Sequence, residues 1–242
     1  MAKIFITGSA DGLGQLAAER LIKDGHEVVL HARTEKRGRE ALKNAPGAAD
    51  VLIGDLADLQ QTKALAKKAN ALGTFDAVIH NAGVYNMPAQ TILAVNTIAP
   101  YVLTALMKRP KRLIYLSSGD HLNGDPTLAG LHADPPQARY ADSKLHDLIL
   151  AKAVARKWPD VFSNALDPGW VPTRMGGKGA PDDLQKGYET QVWLAVSDDP
   201  KALVSGRYFH HQGEARYQLK ADDADLQDRF LQLCRQISGE SF

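Results

Sequence analysis

The sequence predicts an α/β fold: a doubly wound, mainly parallel sheet of about seven strands with helices on both faces. Three observations carry that expectation. Short β-branched runs alternate with longer stretches of helical period along all 242 residues, the strand-like runs are apolar almost throughout, and a glycine-rich turn joins the first strand to the first helix. No linker interrupts the alternation, so a single domain is expected over 1–242.

Each element follows from local chemistry. KIFITG opens the sheet, and LGQLAAERLIKDG reads as a helix closed at Gly25, where a left-handed cap suits glycine. HEVVLHAR is the second strand, and TEKRGREALKNAPG a polar helix stopped by Pro46 and Gly47. ADVLIGD is the third strand, Leu59 to Leu72 a helix ending at Gly73, and FDAVIHNAG the fourth strand. A long helix is expected from Pro88 to Lys108, then RLIYLSS as the fifth strand. Gly, Pro and Asp crowd residues 119–139, which read as a loop rather than an element. A helix from Ala138 to Trp158 precedes VFSNALDPGW, the sixth strand and its turn. PDDLQKGYETQVWLAVS reads as a helix with Pro181 in its first turn, LVSGRYFH as the last strand, and DDADLQDRFLQLCRQI as a closing helix.

Composition narrows the function classes. With 44% hydrophobic and 24% charged residues and a formal charge of +1, nothing calls for a nucleic-acid partner. The densest basic cluster, Lys36, Arg37 and Arg39, is short, lacks interleaved aromatics and reads as solvated helix surface. Cys234 is the only cysteine, so no internal disulfide and no cysteine-based metal centre is expected; it reads as a small core residue. The chain enters a strand at once without a cleavable leader, and no uninterrupted apolar run suits a bilayer span, so a cytoplasmic protein without a membrane partner is expected.

The turn ITGSADGLG sets Gly8, Gly12 and Gly14 between a strand and a helix. A backbone without side chains can approach a diphosphate there, and the helix start supplies free N–H groups. Further along, Tyr140 and Lys144 stand four apart in YADSKLHDLIL, on one helix face, preceded by the serine pair Ser117 and Ser118 at the end of strand five. A phenol titrates near pH 10, and a neighbouring ammonium is expected to lower that value toward useful acid/base behaviour.

These motifs, in this order, resemble the short-chain dehydrogenase/reductase family over residues 3–210. Its glycine segment, TGxxxGxG, is matched by Thr7, Gly8, Gly12 and Gly14, and its NAG segment by Asn81, Ala82 and Gly83. The resemblance implies a Rossmann-like fold and a nicotinamide cofactor held by Thr7, Gly8, Ser9, Asp11, Gly12, Leu13 and Gly14 in the first turn. It adds Asp55 and Leu56 after strand three, Asn81, Ala82 and Gly83 after strand four, Tyr140 and Lys144, and Pro168, Gly169, Val171 and Thr173 after strand six. It implies Tyr140, Lys144, Ser118 and Asn96 as the catalytic set, with Ser117 the alternative serine and Asn96 stabilising a water or a local helix distortion. Ala32 stands where an NAD site wants a carboxylate and Arg33 follows it, so NADP(H) is favoured over NAD(H), with Thr34 and Lys36 as helpers.

The function so implied is hydride transfer between NADP(H) and a small-molecule carbonyl or alcohol, with Tyr140 as general acid/base and no metal. A homodimer or homotetramer is implied by the same resemblance. The gap before Tyr140 is longer than in compact members and resembles the insertion of retinol-dehydrogenase-like branches. Residues 170–185 form a short, glycine-rich substrate-side loop, in and beside which Trp170, Met175 and Tyr188 are the expected apolar contacts. Two other readings share these motifs: a redox sensor that binds NADP(H) without turnover, and a nucleotide-sugar epimerase or dehydratase, which ordinarily needs a larger C-terminal domain.

Overall fold

A computed structural model describes residues 1–241. Its single sheet has eight strands in the order β3-β2-β1-β4-β5-β6-β7-β8. These are β1 (Lys3–Ile6), β2 (Glu27–Ala32), β3 (Asp50–Ile53), β4 (Ala77–His80), β5 (Arg112–Leu116), β6 (Phe162–Asp167), β7 (Tyr208–His210) and β8 (Gly213–Glu214). All neighbours run parallel except β7 and β8, a short edge hairpin that takes the count past the expected seven. A two-residue strand has too little pattern to be read from sequence.

Alternation along the strands builds a core on each face. Ile4, Ile6, Val28, Leu30, Ile79 and Ile114 point one way, against α1 (Gly12–Lys23), α2 (Glu35–Asn44) and α8 (Leu184–Val196). Phe5, Val29, Val78, Leu113 and Tyr115 point the other way. They meet α3 (Leu59–Ala71), α4 (Ala89–Ile92), α5 (Ala99–Leu106) and α7 (Tyr140–Lys157), with α9 (Ala224–Ser238) packed on α7. Each such buried aliphatic side chain contributes about 1.5–3 kcal/mol. That is why strands covered on both faces carry so few polar residues.

The expected long helix is one rod, Ala89–Leu106, with a π-helical segment at Leu93–Ile98. Pro100 lacks the N–H that an unbroken α-helix would give to the Asn96 carbonyl, so the ladder widens there. By length and mean composition alone this rod could cross a membrane, but Gln90 and Asn96 interrupt its apolar run and 67% of that window lies buried in the protein interior.

Residues 119–139 are more ordered than the loop expected of them. They carry a 3-10 turn, Gly119–Asn123, and a short helix α6 (Ala129–His132), and they bury Leu128, Leu131 and Ala138. The ties that order them are distant in sequence: the Gln218 amide donates to the carbonyls of His121, Leu122 and Gly124. α8 starts at Leu184, later than Pro181 suggested, because the Asp183 side chain is the cap and accepts from the Lys186 N–H at 2.9 Å.

Candidate active site

β1 leads through α1 to β2 on one side, while the chain returns from α3 to β4 on the other. The carboxyl ends of β1 and β4 therefore border a crevice at the point where the winding reverses. The glycine turn lies there. Gly8 has φ +64°, and a Cβ on it would fall 2.8 Å from the Ala82 Cα. A Cβ on Gly14 would fall 2.4 Å from the Asn81 amide nitrogen. Gly12, at φ +57°, faces open space, with only Thr173 near the position a Cβ would take, at 3.9 Å.

α1 starts without a side-chain cap, so the donors of its first turn remain available to an anion. An uncapped helix start beside a cradle that a Cβ would fill fits the diphosphate of a dinucleotide. Asn81 locks the cradle from beneath, donating to the carbonyls of Thr7 and Gly8 at 2.9 and 3.1 Å, and Ala82 N–H donates to the Thr7 hydroxyl at 3.0 Å. Leu13 packs toward Gly187 on α8.

Two residues of the turn have other partners. Ser9 is fully buried; its hydroxyl donates to the Ile6 carbonyl and accepts from the His31 N–H, so it shapes the turn and presents no donor to a ligand. Asp11 holds Arg37 at 2.6 Å and Arg174 at 3.1 Å, joining the turn to α2 and to the loop after β6. Arg37 is thus drawn onto the turn, not left as plain helix surface.

At the end of β2, Arg33 is exposed and the Thr34 hydroxyl caps α2, accepting from the Arg37 N–H at 3.3 Å; Lys36 is exposed. Asp55 accepts from the Ala57 N–H at 3.0 Å, and Leu56 is buried beside it.

Tyr140 is the first residue of α7, half-buried, with Ser118 half-buried across from it at the end of β5. Ser117 turns inward and donates to the Lys144 carbonyl at 2.7 Å, which leaves Ser118 as the serine at the mouth. Lys144 is 5% exposed, with its Nζ 5.7 Å from the centre of the Tyr140 ring. It donates to the Leu116 carbonyl at 2.7 Å and to Asp147 at 2.9 Å. Gly83 lies beside it: a Cβ there would stand in ordinary contact, 3.6 Å from that nitrogen and 3.7 Å from the Asn96 side-chain oxygen.

Electrostatics correct one sequence expectation. Burial pushes the Tyr140 phenol above its usual value, and the opposing pull of the Lys144 ammonium and the Ser118 side chain is the smaller effect. Burial works against the charge on Lys144 too, but Asp147, Tyr140 and Asp167 outweigh it and hold the ammonium above its ordinary value. Asp147 itself is pushed up to about 6 by burial, against the pull of Lys144.

Asn96 sits in the π-helical segment, 1% exposed, where helix distortion was expected of it. Its amide accepts from the Val84 N–H at 2.8 Å and donates to the Val84 carbonyl and the Ser143 hydroxyl, each at 3.0 Å. The helix is thereby fastened to the segment that follows β4.

After β6, Gly169 at φ +84° continues the turn begun by Pro168, and Val171 is buried. Thr173 lies close to Gly12, and its hydroxyl accepts from the Gly176 N–H at 3.3 Å. Trp170 and Met175 are exposed, whereas Tyr188 packs on the core and is no part of this rim. Sequence reasoning missed Asp147, whose i+3 spacing from Lys144 was a usable signal, and Tyr85, whose ring meets Tyr140 edge-on with centres 4.9 Å apart. Tyr85 had no signal beyond its closeness to the NAG segment.

Comparison with known proteins bears on the family and the fold. The family profile for short chain dehydrogenases matches residues 2–183. An uncharacterized oxidoreductase of Emericella nidulans is 42% identical, covering 99% of this chain and 98% of the relative. The short-chain dehydrogenase chyC of Penicillium rubens is 39% identical with the same coverage. Among solved structures, a blue fluorescent protein from a metagenomic library, in complex with NADPH, superposes with a TM-score of 0.71 at 20% identity, over 86% of this chain and 95% of that one.

Proposed function

Since the chain belongs to the short-chain dehydrogenase family of oxidoreductases, we propose that it is an NADP(H)-dependent carbonyl reductase or alcohol dehydrogenase with Tyr140 as its general acid/base. The observation that carries this reading is the meeting of Tyr140, Ser118 and Lys144 beside a glycine crevice shaped for a diphosphate.

NADP(H), when bound, supplies a hydride donor or acceptor at the nicotinamide ring. The chain's own residues do the rest. The first-turn N–H groups of α1 receive the diphosphate, and Arg33 meets the 2'-phosphate with a forked cation where a carboxylate would repel it. Ser118 donates a hydrogen bond to the substrate oxygen, and Tyr140 passes its proton to that oxygen during reduction or takes one during oxidation. A half-buried phenol whose proton affinity desolvation raises is poised as the acid of the reductive direction. Lys144 keeps a positive charge behind the phenol and stabilises phenolate once the proton has moved.

The test is loss of NADPH absorbance against a panel of aldehydes, ketones and diketones, repeated with Tyr140→Phe. The substitution is expected to lower kcat by about 10²–10⁴-fold, the usual worth of a general acid, with NADPH affinity nearly unchanged. Turnover equal to wild type would remove Tyr140 from this role.

A further inference from the structure

The chain carries a buried carboxylate that the proposed reaction does not use. Asp147 is 4% exposed on α7, one turn beyond Lys144, and the side chains of the two are 5% and 6% exposed. An ammonium removed from water to that degree loses its proton readily unless an opposite charge and hydrogen bonds hold it. Both are present, in Asp147 at 2.9 Å and the Leu116 carbonyl at 2.7 Å. Tyr115 on β5, Asp167 on β6 and Tyr140 on α7 are the other titratable groups around the pair, and none of them is hydrogen-bonded to Asp147.

We propose that Asp147 is a positioning residue that keeps Lys144 charged and drawn against β5, so that the ammonium acts as a fixed cation behind Tyr140 with one N–H left to offer. That count follows from chemistry: an ammonium has three donors, and two are committed inside the protein. The phenol and any ligand oxygen that reached Lys144 would therefore share a single donor. The catalytic consequence rests on the oxidoreductase reading above; the ion pair and its effect on the charge of Lys144 do not.

The experiment follows the ε-carbon resonance of isotope-labelled lysine, with the Lys144 signal identified by its loss in Lys144→Arg. In wild type the signal stays in its charged position to the highest pH at which the protein remains folded. In Asp147→Asn, a near-isosteric change, its deprotonation moves down by at least about one pH unit, a tenfold change in proton affinity. Coincident titrations in the two proteins would overturn the proposal. Wild type alone gives a second reading that needs no variant: titration of the Asp147 carboxyl must displace the Lys144 signal, and an unmoved signal would equally overturn it.

Carbonyl reduction supplies the catalytic arm. Asp147→Asn is expected to lose kcat on the alkaline side of the pH profile, where wild type does not, while Asp147→Glu restores much of that limb. A uniform fall in kcat at every pH would mean a merely structural role and would sink the assignment. If the lysine signal moves as expected while wild type turns over no carbonyl in the panel, the oxidoreductase reading fails and the ion-pair assignment stands. Turnover with an unmoved lysine signal would do the reverse, keeping the oxidoreductase and overturning the ion pair's role.

Discussion

His31 Nδ1 accepts the Gly8 N–H at 2.9 Å, while its Nε2 lies 2.9 Å from the Gly54 carbonyl oxygen. An N–H at Nδ1 would oppose the N–H of Gly8, so the ring must be neutral with its proton on Nε2. One imidazole thus fastens the glycine turn to the end of β3.

Acid should loosen that fastening. Burial lowers His31 and His146 to about 4 and His80 to about 3, from an ordinary 6.5. Between those values the unfolded chain binds protons that the folded one refuses, so the stability is fully present above 6.5 and drains away as pH falls through about 4. Each histidine contributes on the order of 3 kcal/mol over that range. Asp147, raised to about 6, works in the opposite sense, holding a proton that the unfolded chain releases, and offsets part of the loss. Urea midpoints measured from pH 7.5 down to about 4.5 should fall, and His31→Gln, which can keep both hydrogen bonds without titrating, should fall less steeply. Superimposable profiles would exclude His31 as a contributor.

Gly14→Ala should damage the cradle. The added methyl would meet the Asn81 amide at 2.4 Å and the Gly8 carbonyl oxygen at 2.7 Å, so the two segments must part. The cost should be about 1–3 kcal/mol in stability, together with at least about tenfold weaker NADPH binding. Fluorescence titration and thermal melts read the two effects separately; wild-type affinity in a protein that melts normally would contradict the packing argument.

Arg33→Asp tests cofactor choice. A carboxylate there repels a 2'-phosphate and can accept hydrogen bonds from a ribose diol, so the ratio of NADPH to NADH affinity should fall by about tenfold or more. An unaltered ratio would assign the phosphate to another cation, with Arg37, drawn to Asp11 at 2.6 Å, the first to examine.

Asn96→Ala removes the amide that serves both polar groups of the Val84 backbone. Losing these buried partners should cost about 1–3 kcal/mol in chemical denaturation. Asn96→Asp should recover only part of it, because a carboxylate accepts from the Val84 N–H but donates nothing to the Val84 carbonyl. Full stability in either variant would show that the π-helical segment holds without this clamp.

What can be read along the chain is what depends on near neighbours. Short, nearly continuous apolar runs such as KIFI and EVVLHA placed the strands, the glycines between β1 and α1 announced an anion cradle, and four-residue spacing put Tyr140 and Lys144 on one face of α7. Those features arise from backbone periodicity and steric freedom, which a short window contains in full. The Gln218 ties that order residues 119–139 span more than ninety positions, and so had no local trace.

Tertiary packing decided the chemistry of the side chains. It turned Ser9 and Ser117 inward, drew Arg37 onto Asp11, and half-buried Tyr140, so that desolvation outweighs the ammonium beside it. It also enclosed Lys144 with Asp147. Charge and proton affinity depend on how much water surrounds a group and which opposite charge faces it. The sequence by itself therefore determined the framework and the residue types at the crevice, while three-dimensional burial decided which of them remain free to act and in what protonation state.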